Sequence, residues 1–372
     1  MNIPAPMLVS INLTNKCNQH CIYCEIGQGF VKTVKPLLVL DDLKWIIDEM
    51  NQSGIPFLSL GGGEPFLFKD IFEIIQYGYK FKIKCDTLTN GMLLSCLSQD
   101  KIELLKICES SISVSIDSFL SDKVEYIRGA KNALSLPIEG IKILVKHKIP
   151  VNILTVISTH NYQDLFDVVT NANRLGADSV SFQPVIFISN FPEVERINNK
   201  ESLNVLLEHL AEIENQFQRI MDFERHNPIK TNVYVLRQWF SNYIKYIYSI
   251  QTDEFFFKKV VNRFWCAALY SMIAINYYGD ILPCNMLKPG KSIKDRDYKS
   301  LLELWNDSCE PVRLMIKRQQ YPNACKSCVC NLNFNIFHSI LKYPFSNFHL
   351  TLKNLAERVK VRLGKVTNFN YD

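Results

Sequence analysis

Eight residues near the start of the chain, Cys17-Asn18-Gln19-His20-Cys21-Ile22-Tyr23-Cys24, carry three cysteines in the spacing C-x3-C-x2-C. They follow an apolar, β-rich stretch at residues 7–13, so we predict a loop at the carboxyl end of a first strand. Three thiolates this close together suit three irons of a four-iron cubane, which leaves one iron without a protein ligand. An open metal position is typical of a catalytic site, whereas structural zinc sites are usually closed by four ligands.

Strand-like and helix-like segments alternate along the first 185 residues. The patterns predict strands at residues 7–13, 56–60, 83–89, 112–116, 151–157 and 179–185. They predict helices at residues 41–50, 68–79, 138–147 and 164–175, and a further helix that follows the third strand and ends at about residue 107. Such alternation implies a parallel sheet covered by helices. We therefore predict an α/β fold, a partial (β/α)6 barrel of TIM type, with its chemistry at the carboxyl ends of the strands.

Polar or glycine-rich motifs stand at the ends of the next three predicted strands. They are Gly61-Gly62-Gly63-Glu64-Pro65, Thr89-Asn90-Gly91 and Ser113-Val114-Ser115-Ile116-Asp117, followed by Arg128-Gly129. Together with the three cysteines, these motifs resemble the radical S-adenosylmethionine (SAM) superfamily, in the expected order over about residues 7–190. A GGEP element at the next strand end makes the three-cysteine motif far more specific than it is alone.

The resemblance implies reductive cleavage of SAM at a [4Fe–4S] cluster and hydrogen abstraction from a substrate by a 5′-deoxyadenosyl radical. It assigns the cluster to Cys17, Cys21 and Cys24. Glu64 is expected near the methionine amino group of SAM, and Arg128 near its carboxylate. The full set of SAM-binding residues implied by the resemblance is Gly62, Gly63, Glu64, Pro65, Asn90, Ser115, Asp117 and Arg128.

A second group of cysteines lies late in the chain. Cys266 and Cys284 flank a predicted β-hairpin at residues 271–277 and 281–283, and Cys325 and Cys328 follow a helix predicted at 299–319. This layout resembles the short twitch form of the SPASM domain, which implies one auxiliary [4Fe–4S] cluster. Cys330 is an alternative ligand to Cys328, and a zinc site is an alternative to the cluster because four thiolates also suit zinc.

The predicted organisation has four parts. A radical SAM barrel spans residues 1–190, a bridging helical and aromatic segment 191–262, and a small α+β twitch or SPASM domain 263–332. A basic amphipathic tail occupies 333–372, and we expect it to dock on protein more readily than on an anionic membrane. The bridge includes a predicted long helix at 200–221. The remaining cysteines are predicted to be buried or inert thiols: Cys85, Cys96, Cys108 and Cys309.

Composition narrows the functional classes. Of the 372 residues, 47% are apolar and 21% charged, which is ordinary for a globular protein. The net charge of +5 is too small to indicate a nucleic-acid partner. No signal peptide or membrane-length apolar run is visible, so we expect a cytoplasmic protein. Twelve cysteines in a reducing compartment indicate metal sites rather than disulfides.

The substrate is the least determined part of the prediction. The chain ends Asn370-Tyr371-Asp372, without the double glycine usual in the cyclase of molybdopterin synthesis, and Cys17 lies too near the start for a preceding peptide-recognition domain. We therefore expect a small molecule, such as a sugar, aminocyclitol or natural-product intermediate, undergoing dehydrogenation or epimerisation. A peptide-modifying maturase and a non-catalytic Fe–S or zinc protein are the alternatives. Flavodoxin or ferredoxin is the expected electron donor.

Overall fold

The structure, a computed structural model, describes residues 5–29, 33, 35–185, 207–238, 266, 268–284, 287–295, 299–318, 320 and 322. Within that part of the chain, nine strands form one sheet in the order β7-β6-β5-β4-β3-β2-β1-β8-β9. All neighbours pair in parallel except β8 and β9, which are antiparallel. The sheet is open rather than closed, in agreement with the predicted partial barrel.

The elements are short and regular. The strands are β1 (Leu8–Asn12), β2 (Phe57–Gly61), β3 (Lys84–Thr89), β4 (Ser111–Ser115), β5 (Val151–Ile157), β6 (Ser179–Pro184), β7 (Lys230–Thr231), β8 (Met272–Ile275) and β9 (Ile281–Leu282). The helices are α1 (Leu40–Ser53), α2 (Ile71–Lys80), α3 (Gln99–Ile107), α4 (Ser121–Arg128), α5 (Ser135–Lys146), α6 (Leu165–Leu175), α7 (Leu210–Glu224), α8 (Val233–Gln238), α9 (Ala268–Ser271) and α10 (Leu301–Lys317).

Side chains alternate along the parallel strands between a helix-covered face and an inner face. In β5, Val151, Ile153 and Ile157 are fully buried, whereas Asn152 and Leu154 between them are half-buried. The buried set packs in one core with helix residues such as Leu43 of α1 and Val168 of α6. Because successive side chains point to opposite faces, the half-buried set forms the inner face of the partial barrel.

The late hairpin continues the main sheet, a pairing that the sequence did not predict. Strand β8 pairs in parallel with β1, with Ser10 opposite Ala274, and β9 follows through the turn at Gly279. Helix α10 joins the same body, since the Leu301 amide donates a 2.8 Å hydrogen bond to the Glu49 carboxylate of α1. The described part of the predicted twitch or SPASM region therefore packs directly against the first strand of the barrel.

Most predicted elements are present with shifted ends. The helix predicted at 68–79 starts at Ile71, behind a 3-10 turn at Pro65–Leu67. The helix predicted at 200–221 is described as a 3-10 turn at Leu207–His209 followed by α7; residues 200–206 lie outside the described residues. Helix α4 was not predicted. The aromatic stretch at 239–264, the tail and Cys325, Cys328 and Cys330 also lie outside them. No helix in the described ranges is long and apolar enough to cross a membrane.

Candidate active site

The loop with the three early cysteines follows β1 and is fastened to the end of α4. The His20 amide donates to the Arg128 carbonyl at 2.9 Å, and the Ile22 amide donates to the Ile127 carbonyl at 3.0 Å. The Gln28 side chain also donates to the Cys21 carbonyl at 3.0 Å. These bonds hold the loop at the carboxyl edge of the sheet, where chemistry was predicted.

The three thiols differ in burial. Cys21 is only 7% exposed, and Cys17 and Cys24 are half-buried. Burial raises the pKa of Cys17, and it raises the pKa of Cys21 to about 12, against the opposing positive charge of Arg128. Because burial alone disfavours the thiolate, a positively charged metal centre is the partner that would stabilise it.

The donor set fits a cubane better than a single ion. No three Cys, His, Asp or Glu side chains in the described part of the chain are placed to hold one metal ion. In a cubane each cysteine binds a different iron, so its thiols need not converge on one point. Soft sulfur donors on one loop, with no fourth cysteine in the motif, match that requirement.

The glycine-rich turn after β2 packs directly on the cysteine loop. The Gly63 amide donates to the Thr14 carbonyl at 2.7 Å, and the Glu64 amide donates to the Lys16 carbonyl at 2.8 Å. A Cβ atom at Gly63 would overlap the Lys16 carbonyl, and Gly62 adopts a φ of 130°, which side chains rarely tolerate. Glycine is therefore required here for close contact between two backbones.

Glu64 joins the ends of β2 and β3. Its carboxylate is fully buried and accepts hydrogen bonds from the Asn90 amide at 2.8 Å, the Thr89 hydroxyl at 2.7 Å and the Phe66 amide at 3.1 Å. Burial raises the pKa of Glu64, and these three donors oppose the rise. Glu64 was expected to face the methionine amino group of SAM, yet both of its oxygens already accept protein hydrogen bonds.

Asn90 links this buried hydrogen-bonded group to the cysteine loop. We call the group of Glu64, Thr89 and Asn90 the first bracket. Its side-chain amide donates to the Asn18 side chain at 2.7 Å and lies 3.8 Å from the Cys17 sulfur. Neither Asn18 nor Thr89 was singled out from the sequence. Pro65, which was predicted from the sequence to bind SAM, is buried and opens the 3-10 turn that follows Glu64. Glu64 and Asn90 thus fix the position of the loop at Cys17.

A second buried group contacts the same loop and is built around an ion pair. We call the group of Tyr23, Asp117 and Arg128 the second bracket. Arg128 and Asp117 are joined at 2.8 Å, with side chains 7% and 0% exposed. The Tyr23 hydroxyl donates to the same Asp117 oxygen at 2.8 Å, and an Arg128 nitrogen lies 4.0 Å from the Cys21 sulfur. Burial opposes the charge on Arg128, but Asp117 and the neighbouring groups hold its pKa above its usual value. Arg128, expected beside the SAM carboxylate, has a carboxylate partner within the protein.

We expect Arg128→Met to lower the free energy of unfolding by about 3–5 kcal/mol, because it leaves Asp117 charged and buried without its cation. The matched control is Arg225→Met, which breaks a pair with Asp222 whose side chains are 65% and 52% exposed; we expect a loss below about 1 kcal/mol. Urea unfolding followed by circular dichroism compares the two. Equal losses of unfolding free energy in both variants would contradict a stabilising role for the buried ion pair between Arg128 and Asp117.

Ser115 ends β4 on the inner face, opposite Leu154 of β5. Asp117, two residues further along the chain, instead supports the backbone of β5, since the Val156 amide donates to it at 3.0 Å. The residues predicted to bind SAM therefore fall into two groups. Ser115 is half-buried on the inner face, whereas Glu64, Asn90, Asp117 and Arg128 are buried and bond to other protein groups; all five stay predicted SAM-binding residues.

The late cysteines are described only in part. Cys266 and Cys284 are half-buried at the two ends of the β8–β9 region. Cys309 on α10, expected to be a buried or inert thiol, is buried and is close enough to Cys284 to be affected electrostatically. Burial raises the pKa of Cys309 to about 12, Arg313 opposes this rise and Cys284 adds to it. The other predicted ligands of the auxiliary cluster lie outside the described residues.

Comparison with known proteins agrees with this arrangement. Residues 11–172 match the family model of the radical SAM superfamily, and residues 266–329 match that of SPASM, an iron–sulfur cluster-binding domain. Together the two matches cover more than half of the chain.

Three relatives illustrate the range of similarity. An AdoMet-dependent heme synthase of Methanosarcina barkeri is 33% identical over 46% of this chain and 49% of that protein. The subtilosin biosynthesis protein AlbA of Bacillus subtilis is 24% identical over 93% of this chain and 66% of AlbA. The GTP 3′,8-cyclase of Helicobacter pylori is 26% identical over 81% of this chain and 88% of the cyclase. The chain thus spans about half of the heme synthase and about two thirds of AlbA.

Two solved structures share the fold. Streptococcus suis SuiB bound to SAM superposes with a TM-score of 0.62 at 18% identity, over 89% of this chain and 74% of SuiB. The structure of anSMEcpe with bound AdoMet gives 0.60 at 14% identity, over 88% and 87%. The chain is a member of the radical SAM superfamily and carries a SPASM domain behind its radical SAM domain. This confirms the predicted family, fold and classes of cofactor.

Proposed function

We propose that this radical SAM protein cleaves SAM reductively and removes a hydrogen atom from a peptide. Cys17, Cys21 and Cys24 would hold the [4Fe–4S] cluster. When bound, the cluster and SAM together supply one-electron cleavage of the SAM C5′–S bond. The observation that carries the proposal is the three-cysteine loop held between two buried brackets at the carboxyl edge of the sheet.

The chain's own residues would bind and position the reactants. Gly62, Gly63 and Pro65 shape the turn that contacts the cysteine loop, Asn90 lies 3.8 Å from the Cys17 sulfur, and Ser115 offers a hydroxyl on the inner face. Glu64, Asp117 and Arg128 would act as positioning residues through their protein partners, while Glu64 and the Arg128 Nε, which lacks a hydrogen-bond partner among the described residues, remain available for the predicted contacts with SAM. Such fixed polar groups need no reorganisation when the reactants bind.

The alignment over 93% of the chain with AlbA, a protein of the biosynthesis of the bacteriocin subtilosin, supports a peptide substrate, because bacteriocins are peptides or small proteins. The inner face disfavours a nucleoside triphosphate, because Asp86 lies in its middle and Lys84, the lysine of the same strand, is paired with Glu109 at 3.0 Å. A small polar molecule, the substrate expected from the sequence, is the second candidate, because serine and asparagine side chains line this face. For either substrate, the peptide or the small polar molecule, we propose dehydrogenation or epimerisation as the reaction.

The auxiliary site is proposed to hold one [4Fe–4S] cluster on Cys266, Cys284, Cys325 and Cys328, with Cys330 as the alternative to Cys328. Four protein thiolates would leave no iron open, so the cluster would transfer electrons or frame the pocket. A flavodoxin or ferredoxin would deliver the reducing electron. The half-buried positions of Cys266 and Cys284 beside the hairpin support the first two ligands.

The test is SAM cleavage without substrate. The anaerobically reconstituted chain, reduced with dithionite, should bind about eight irons, since each of two cubanes holds four, and convert SAM slowly to 5′-deoxyadenosine. Liquid chromatography with mass spectrometry measures the product, and a sample without dithionite is the control. A fully loaded chain that neither binds SAM nor forms 5′-deoxyadenosine would refute the proposal and favour a non-catalytic Fe–S protein.

A further inference from the structure

The inner face carries a band of small polar side chains around one carboxylate. The strand register places Ser59, Asp86 and Ser111 side by side on β2, β3 and β4. It then places Ser113 beside Asn152, and Asn152 beside Ser179. We call this set the polar band; its members are Ser59, Asp86, Ser111, Ser113, Asn152, Ser179 and Ser181. None of the residues assigned to SAM or to the clusters belongs to it.

The hydrogen bonds of the polar band all run toward Asp86. Ser111 and Ser113 donate to its carboxylate at 2.7 and 2.9 Å. Asn152 donates to the Ser113 hydroxyl at 3.3 Å, and Ser179 donates to the Asn152 side-chain oxygen at 2.8 Å. Donors aligned in one direction polarise one another. The chain of donors therefore stabilises negative charge at Asp86.

Asp86 lacks a cationic partner in the described part of the chain. Lys84 of the same strand pairs with Glu109, and Lys230 lies exposed at the start of β7. Burial raises the pKa of Asp86, and the hydrogen bonds from Ser111 and Ser113 oppose the rise. A carboxylate has about four acceptor positions, so hydroxyl donors from two serines leave room for a further donor. A cation that the described residues do not supply would complete this site.

The position of Asp86 along β3, measured from the carboxyl end of the strand, also suits substrate binding. It precedes Thr89, the end of β3, by three residues, or about 10 Å at 3.3 Å per residue. Asn90, the next residue, is the one that lies 3.8 Å from the Cys17 sulfur. A group bound at Asp86 would thus sit below the proposed cluster and SAM site, on the face where substrate would enter the partial barrel.

We infer that Asp86 anchors a protonated primary amine of the substrate, such as a lysine ammonium group, in the polar band. This inference rests on the proposed function, because it identifies the part of a peptide that the inner face recognises. An ammonium group has three N–H donors, which suits one carboxylate surrounded by hydroxyl oxygens. Its charge would offset that of Asp86 in a half-buried setting where ion pairing is stronger than in bulk water.

The test compares two probes that differ only in the ammonium group. Nα-acetyl-lysinamide and the neutral Nα-acetyl-norleucinamide are titrated by calorimetry into the reconstituted full chain with SAM present. We expect the wild type to bind the lysine probe at least about tenfold tighter, which is the usual range for a charge-assisted hydrogen bond. The preference should vanish in Asp86→Asn and persist in Asp100→Asn, which removes an exposed carboxylate of α3.

Several outcomes would overturn the inference: equal affinities in the wild type, no binding of either probe, or a preference that survives in Asp86→Asn. If Asp86→Asn does not fold by circular dichroism, Asp86→Ser removes the same charge and still offers an oxygen to Ser111 and Ser113. The proposed function fails separately, through absent 5′-deoxyadenosine in the wild type. A chain that forms 5′-deoxyadenosine without preferring the lysine probe loses only the assignment of Asp86.

Discussion

A chain in which Cys17, Cys21 and Cys24 are all replaced by alanine will form no 5′-deoxyadenosine above background and will bind about four fewer irons. The effect is large because the variant removes all three thiol ligands of the predicted cluster at once. The neighbouring amides of Asn18 and Asn90 offer hard oxygen and nitrogen atoms, which do not replace soft sulfur ligands in an Fe–S cluster.

Cys96→Ala is the matched control for this experiment. Cys96 is an exposed thiol at the end of the 3-10 turn Leu94–Cys96, away from both cysteine groups in sequence. We expect it to retain about eight irons and wild-type SAM cleavage. The triple variant should keep about four irons on the late cysteines, which separates the two sites. Retention of eight irons by the triple variant would contradict the assignment of the early cysteines.

The parallel sheet was predictable because its signals are local. The strands β1 to β6 are short segments with apolar residues at alternate or successive positions, separated by helical patterns, and each predicted strand overlaps the observed one closely. The motifs at Gly63 and Asn90 were placed correctly for the same reason, since parallel strands end at one edge. The pairing of β8 with β1 joins residues more than 260 positions apart, and no local pattern encodes such a contact.

The hydrogen-bond and ion-pair partners of the charged residues could not be predicted from the sequence. Glu64 bonds to Thr89 and Asn90 at the end of the next strand, and Arg128, the last residue of α4, pairs with Asp117 just after β4. Asp86 was missed for a different reason. A polar residue alternating with apolar ones resembles a solvent-facing strand position, and only the curved, open sheet turns that position into a lined inner face.

Gly63→Ala will reduce SAM cleavage by about a hundredfold, the loss expected when reacting groups are misplaced by roughly 1 Å. The Gly63 backbone lies in a conformation that alanine tolerates, so the effect comes from contact alone. Its methyl group would overlap the Lys16 carbonyl, one residue before Cys17, and would push the turn away from the cysteine loop. The Gly63–Thr14 and Glu64–Lys16 hydrogen bonds would lengthen together.

Gly78→Ala tests whether this loss is specific to the turn. Gly78 is buried in α2, but an added Cβ there would approach the Ile83 Cβ only to 3.9 Å, which is ordinary contact. Alanine also favours a helix by up to about 1 kcal/mol over glycine, so this variant should unfold at the same or a higher temperature and cleave SAM normally. Iron content, melting temperature and 5′-deoxyadenosine are measured for both. Because backbone hydrogen bonds join the turn to the loop, a Gly63→Ala chain with wild-type cleavage would show that the loop does not depend on this close contact for its position.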